Sequence, residues 1–200
     1  MSAPLQGIRV VDFSRLLPGP YATQVLADMG AEIIKIEAPK GGDWMRWTPP
    51  LASPGVSHGF ASLNAGKRSV AVDLKHPDGV AAVQRLCEGA DVVLESFRPG
   101  VMDRLGLGYE TLRAANPRLI YCAISGYGQD GPYRDRAGHD LNYVATAGLI
   151  GLAGPADGPP ALPPIQTGDI AGGALWGVVG ILGALMGRQQ TGEGAFIDTS

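Results

Sequence analysis

Apolar residues recur along this chain in short continuous runs separated by longer segments of helical period. IRVVDF (8–13), AEIIKIEAP (31–39), a run over 69–74, ADVVLESF (90–97) and RLIYCAISGYG (118–128) read as strands. They are apolar on successive residues rather than on alternate ones, the pattern of strands buried on both faces. Between them, residues 21–29 carry an amphipathic pattern stopped by Gly30, and 78–88 carry another. RPGVMDRLGLGYETLRAANP reads as a helical pair broken at Gly106 and Gly108. Pro18-Gly19-Pro20 reads as a turn. Strands alternating with helices predict an α/β fold, a mostly parallel sheet with helices on both faces. Its ligand should lie at the carboxyl ends of the strands. The stretches just past those ends are Ser14 to Pro18, the 38–47 loop, Ser96-Phe97-Arg98 and Ser125 to Asp130.

Residues 40–66 show no period, and a loop of this length is usually functional. Trp44, Arg46, Trp47 and His58 could line a ligand mouth there, with a surface position the alternative for His58. Further on, two Gly-rich loops each deliver a titratable group to the expected start of an apolar helix. His139-Asp140 follows Gly138 and opens LNYVATAGLIGLAG, with Leu141, Val144, Ala145, Gly148 and Leu149 at helical spacing. Asp169 follows Thr167-Gly168 and opens IAGGALWGVVGILGALMG. Asp169 alone could be an N-cap, and His139 alone a buried, hydrogen-bonded imidazole. Gly138 and Gly168 suggest tight turns or close approach of a ligand, and so a site.

The stretch 170–186 is uncharged and long enough to raise the question of a membrane span. Its five glycines (172, 173, 177, 180 and 183) and its start at an aspartate favour a helix buried in protein. The ending GEGAFIDTS reads as a turn and a strand cut in mid-element, so the chain is expected to be the N-terminal part of something longer.

Composition narrows the class. The 200 residues are 45% hydrophobic and 18% charged, which places the chain among globular proteins. A net charge of -3 gives no reason to expect nucleic acid. Cys87 and Cys122 stand in apolar settings without CxxC spacing and read as reduced core thiols, so a cytoplasmic location is expected. GxGxxG after the first strand, GxxxxGK[ST] and GxSxG are all missing, and no His/Cys/carboxylate cluster suggests a metal. Lys67, Arg68, Lys75, Arg98 and Arg104 fall near strand ends and loops, where a phosphorylated ligand would need cations.

Five stretches carry a resemblance. LQGIRVVDFSRLLPGPYATQVLADMGAEIIKIEAPKGGD, NAGKRSVAVDLK, ADVVLESFRPGVMDRLGLGYETL, NPRLIYCAISGYGQDGPY and TGDIAGG together resemble, in order, the N-terminal half of family III CoA-transferases. That family also holds the α-methylacyl-CoA racemases. The resemblance implies a Rossmann-like large domain whose companion small domain is absent from these residues. It also implies an acyl-CoA substrate and an interlocked homodimer of full-length chains. No cofactor is implied, CoA being part of the substrate.

Asp169 matches the family's central aspartate. In transferases this residue is a nucleophile that takes up the acyl group as an anhydride; in racemases it is an acid/base at the carbon next to the thioester. AGHDLNY resembles the racemase pattern GHDxNY, where transferases commonly carry a tyrosine or another residue at the position of His139. The resemblance therefore points to His139 and Asp169 as an acid/base pair, with Asp140 and Tyr143 at the acyl end. Backbone N–H groups at the start of the Asp169 helix are the expected donors to an enolate oxygen. For CoA it implies Leu16, Leu17, Pro18, Val72, Lys75, Ser96, Phe97, Arg104 and Leu105. Ala38 stands where some members have an arginine, and Lys40 is the expected substitute. In racemases a glutamate from the later part of the chain pairs with the histidine. A CoA-transferase, or an acyl-CoA-binding fragment without turnover, are the alternatives.

Overall fold

The computed structural model describes residues 3–200. Eight strands form: β1 (Arg9–Asp12), β2 (Glu32–Glu37), β3 (Leu51–Ser53), β4 (Val56–Ser57), β5 (Arg68–Ala71), β6 (Val92–Glu95), β7 (Ile120–Ile124) and β8 (Ala195–Thr199). Six of them make one all-parallel sheet in the order β5-β2-β1-β6-β7-β8. The first two crossovers run one way from β1 and the rest run the other way. Strand order therefore reverses between β1 and β6, the switch point where sheets of this class open a crevice.

The apolar runs divide by pleat. Val10, Ile33, Val92, Leu94, Ile120 and Cys122 face one layer. That layer is made by α1 (Pro18–Asp28) and a long C-terminal helix, α7 (Trp176–Thr191). Val11, Ile34, Val93, Tyr121 and Ala123 face the other. It holds α3 (Pro77–Glu88), α4 (Val101–Arg104) and α5 (Tyr109–Ala115). Burying both pleats is what makes these strands continuously apolar. Cys87 and Cys122 are buried free thiols, and burial pushes both up to about 12.

Some boundaries differ from the sequence expectation. Pro18-Gly19-Pro20 is the first turn of α1 rather than a turn ahead of it, because proline without its N–H is favoured at a helix start. The 40–66 stretch is more ordered than its missing period suggests. It holds a 3₁₀ turn (Trp44–Trp47), the β3–β4 hairpin and the helix α2 (His58–Leu63). The helix opened by Asp140, α6 (Asp140–Thr146), is short and buries only Val144. The Asp169 segment begins as a π-helix, Gly168–Leu175, that runs straight into α7. Gly168–Thr191 is long and apolar enough to cross a membrane by length and composition. It is not buried all round, as 170–186 was expected to be. Gly173, Gly177, Val178 and Ile181 pack on the sheet, while Trp176 (64% exposed), Val179 and Met186 (70%) face outward.

Four buried charges set the loop after β1. Asp12 accepts from the Ser14 N–H (2.8 Å), the Ser14 hydroxyl and the Thr23 hydroxyl (2.6 Å). Lys67 Nζ stands 3.6 Å from Asp12, and Lys35 Nζ 3.0 Å from Asp43, all with side chains at most 1% exposed. Lys35 also donates to the Ser14 carbonyl (2.8 Å). Asp43 accepts from the Leu16 N–H (3.1 Å), holding Leu16 in a left-handed conformation (φ 64°). Burial would raise Asp12, but Lys35 and Lys67 together with the Ser14 and Thr23 hydrogen bonds outweigh it and hold the carboxyl below its usual range. Burial depresses Lys67 to about 8. Next to this cluster, Glu37 binds Arg46 (2.6 Å) and accepts from Ser69 (2.6 Å) and the Asp43 N–H (2.9 Å).

Two outcomes follow from these ion pairs. Asp43→Ala leaves Lys35 buried without its carboxylate and should cost about 3–5 kcal/mol in urea unfolding. Burial pushes Glu37 upward, yet its hydrogen bonds to Arg46, Ser69 and Asp43 hold it down at about 2, against 4.5 for the free group. A depressed acid stabilises the fold above its unfolded value and loses that contribution as pH falls. Stability should therefore drop between pH 4.5 and about 2, and Glu37→Gln should flatten that part of the unfolding-against-pH curve.

Candidate active site

The crevice predicted by the strand order is present. A cavity of about 980 Å³ opens at the carboxyl ends of the strands. Arg15, Leu16 and Pro18 line it from the β1 loop, Ser96–Pro99 from the β6 loop, and Ile124–Tyr127 from the β7 loop. The 38–47 loop, expected at this mouth, is not part of the wall. The fourth wall is the crossover from β7 to β8, which brings in both groups singled out in the sequence.

His139 and Asp169 line this one cavity. His139 is exposed and is the N-cap residue of α6, whose Asn142 accepts its backbone N–H (3.0 Å). Asp169 is half-buried in the first π-turn, after the N-cap Thr167, and so is not itself a cap. π-Helical turns are rare and concentrate at functional sites. Burial pushes the Asp169 carboxyl up to about 6, with Asp140 adding to the rise and His139 opposing it.

Tyr143 explains the glycines of this region. Its ring is held between Gly126 and Gly138, where an added Cβ would stand 2.5 Å and 2.6 Å from ring carbons. Its hydroxyl donates to the Gly138 carbonyl, and Tyr127 packs edge-on against it at 5.2 Å. Gly138 thus makes room for a side chain of its own helix rather than for a turn of unusual backbone. Gly168 does the same for α6: a Cβ there would stand 3.2 Å from Asp140 Oδ1. Burial, with Asp169 and Tyr127 adding, raises the Tyr143 phenol.

Leu16, Pro18, Ser96, Phe97 and Tyr143 share the cavity with His139 and Asp169. Leu17, Lys40, Val72, Lys75, Arg104, Leu105 and Asp140 are not on its wall. Val72 and Leu105 instead pack against the α3–α5 core layer, as Phe97 also does from the cavity wall, while Lys40, Lys75 and Arg104 are exposed. Asp140 accepts the Asp169 N–H (2.9 Å). The Ile170 N–H goes to the Gln166 carbonyl (2.9 Å). These two donors of the Asp169 helix, expected for an enolate oxygen, are therefore already engaged.

Of the basic residues expected to meet phosphate, Arg98 alone lines the cavity. Lys67 is buried against Asp12, and Arg68 pairs with Glu32 (2.8 Å). Sequence reading missed Arg15, Arg134 and Arg136, which line the cavity instead. Arg15 stacks over Phe97 (5.0 Å) and Arg136 over Tyr133 (4.1 Å). The signal available was two arginines within RDRAGHD, directly before His139. Trp44, Arg46, Trp47 and His58 lie off this wall; Arg46 is held by Glu37, and His58 is exposed. No group of three or more His, Cys, Asp or Glu side chains suited to a metal occurs among the described residues.

Comparison with known proteins places this geometry. The family described as CoA-transferase family III matches residues 5–200. A mouse succinyl-CoA:glutarate CoA-transferase is 44% identical over 98% of this chain and 44% of its own length. A human α-methylacyl-CoA racemase is 43% identical over 98% of this chain and 47% of its own. A crystal structure of a CAIB/BAIF family protein from Brucella suis superposes with a TM-score of 0.94 at 40% identity, covering 100% of this chain and 53% of that one. The chain spans about half the length of the curated relatives it matches. With the match running through all but the first four residues, the chain belongs to CoA-transferase family III.

Proposed function

We propose that this chain carries the acid/base site of an acyl-CoA racemase or epimerase, which removes and returns the proton at the α-carbon of a 2-methylacyl-CoA thioester. The observation that carries the reading is that His139 and Asp169 line one cavity from two separate helix starts. Inversion needs a base on one face of the α-carbon and an acid on the other. One group takes the proton and the electron pair passes onto the thioester carbonyl. The other group then delivers a proton to the opposite face. Each such group contributes about 10²–10⁴-fold. Histidine suits either role near neutrality, and an aspartate raised to about 6 is a stronger base than a free one. With the Asp169 and Ile170 N–H groups engaged, the enolate oxygen takes its donor from elsewhere on the wall.

In this reading CoA enters by the arginine-lined side. Arg15, Arg98 and Arg136 face its phosphates, with the family-matched Leu16, Pro18, Ser96 and Phe97 on the same wall. The other family-matched positions, Leu17, Val72, Lys75, Arg104 and Leu105, belong to this reading without lying on that wall. Lys40 supplies the charge lost at Ala38. Tyr143 stands at the acyl end, with Asp140 behind the wall on the Asp169 N–H. The whole protein is a cytoplasmic homodimer needing no separate cofactor, and the outward apolar face of α7 meets protein rather than lipid.

A second reading has support in the succinyl-CoA:glutarate relative, at an identity matching the racemase's. There Asp169 attacks the thioester carbonyl and CoA thiolate leaves. The thiolate returns to the Asp169 carbonyl of the anhydride so formed, releasing the first acid. The acceptor carboxylate then runs the same exchange in reverse and leaves as the new thioester. The two readings separate in one tube. Proton NMR in D₂O with a 2-methylacyl-CoA and no acceptor acid should show the α-proton signal decaying while the thioester persists. Exchange that appears only as CoA moves to an added acid, with an adduct trapped on Asp169, would replace the racemase by the transferase. Binding of CoA without turnover of either kind would make these residues an acyl-CoA-binding unit.

Two further outcomes are specific to the acid/base pair. His139→Ala should abolish inversion by about 10²–10⁴-fold while the enantiomer whose proton faces Asp169 still exchanges with solvent. In the direction that uses Asp169 as base, kcat/KM should climb as pH rises through about 6, because that carboxylate must be ionised to take the proton.

A further inference from the structure

Asp140 follows His139 directly but does not line the cavity. Its Oδ1 accepts the backbone N–H of Asp169 at 2.9 Å, across 29 residues of chain. The approach is close enough to restrict the residue before Asp169: a Cβ on Gly168 would stand 3.2 Å from that oxygen and 3.4 Å from Val144 Cγ1. Adjacent residues thus do different jobs at the start of α6. His139 reaches the cavity, and Asp140 holds the backbone of the opposing group.

We propose that Asp140 is a positioning residue for Asp169, clasping the π-turn to the start of α6 and so fixing the separation of the two groups that meet the α-carbon. The importance of that separation for proton transfer rests on the acid/base reading above; the clasp itself does not. Charge gives it a second effect. The titratable groups that act on the Asp169 carboxyl are Asp140 and His139, with the Tyr143 phenol responding to it. Burial raises Asp169 first, and the negative Asp140 raises it further against the pull of His139. An acidic residue in the first turn also favours α6 itself. A role confined to that would leave both the Asp169 amide and its titration unmoved.

Asparagine separates the two effects, since its carbonyl can still accept the N–H but carries no charge. NMR of the 200-residue chain labelled with ¹³C-aspartate and ¹⁵N reads both without substrate. In the unmodified protein the Asp169 amide should be protected from exchange. In Asp140→Asn it should stay protected, while the Asp169 carboxyl titrates at lower pH than in the unmodified protein. Asp140→Ala should lose the protection as well, with inversion slowed by about 10²-fold in kcat and little change in KM. Should that variant unfold, the unmodified protein and Asp140→Asn still decide. An unprotected Asp169 amide in the unmodified protein, or an unchanged Asp169 midpoint in Asp140→Asn, would overturn the proposal. If no form racemises, the acid/base reading fails, and the amide and titration results still judge the clasp.

Discussion

Two carboxylates and two ammonium groups with almost no access to water hold the crevice open. Asp12, Lys35, Asp43 and Lys67 come from β1, β2, the loop after β2 and the residue just before β5. Desolvating four charges is expensive, and the arrangement is tolerable only because signs balance and the remaining hydrogen-bonding capacity is used. Ser14, Thr23, Pro20, Asn64 and the Leu16 N–H use it. The geometry that satisfies those charges is also the geometry that bends the β1–α1 loop through a left-handed Leu16 into the cavity wall. Loop shape at the switch point is thus set by the charges behind it together with Ser14, which bonds two of them.

On the opposite wall the determining constraint is steric. Tyr143 occupies space that only glycine at 126 and 138 can leave, and α6 approaches the π-turn over Gly168. The same device repeats along the helix that follows, where a Cβ on Gly173 or Gly177 would press on Ile124 at 3.2 Å and one on Gly180 on Ile197 at 2.8 Å. Small residues bring the π-turn and α7 down onto β7 and β8. The Asp169 carboxyl is thereby half-withdrawn from water, which is the main cause of its raised proton affinity.

Much of this was legible in the chain. Continuous apolar runs and alternating periods announce a parallel sheet covered on both faces, and the two Gly-rich loops announce His139 and Asp169. What stayed hidden depends on partners far away in sequence. Nothing local distinguishes Lys67, neutralised by an aspartate 55 positions earlier, from Arg98, which is free to face the cavity. Arg15 finds its ring at Phe97, and Asp140 its amide at Asp169. The α7 stretch misled for another reason. It is apolar on every side, so no moment reveals that Trp176 and Met186 face outward. Pro18 misled because the same residue type marks turns and opens helices.

The crossover between β7 and β8 has a consequence for how the cavity is kept together. Both His139 and Asp169 lie within it, and its start is tied to β8. The Ser125 N–H bonds the Thr199 carbonyl, and the Gln129 N–H bonds Asp198, each at 2.9 Å. Among the described residues β8 pairs with β7 alone. Were β8 to part from β7, those two bonds would go with it, while the packing of Gly173 and Gly177 on Ile124 would remain. Among the described residues, the pairing of β8 with β7 and the closing of the crossover that carries His139 and Asp169 therefore draw on the same two hydrogen bonds.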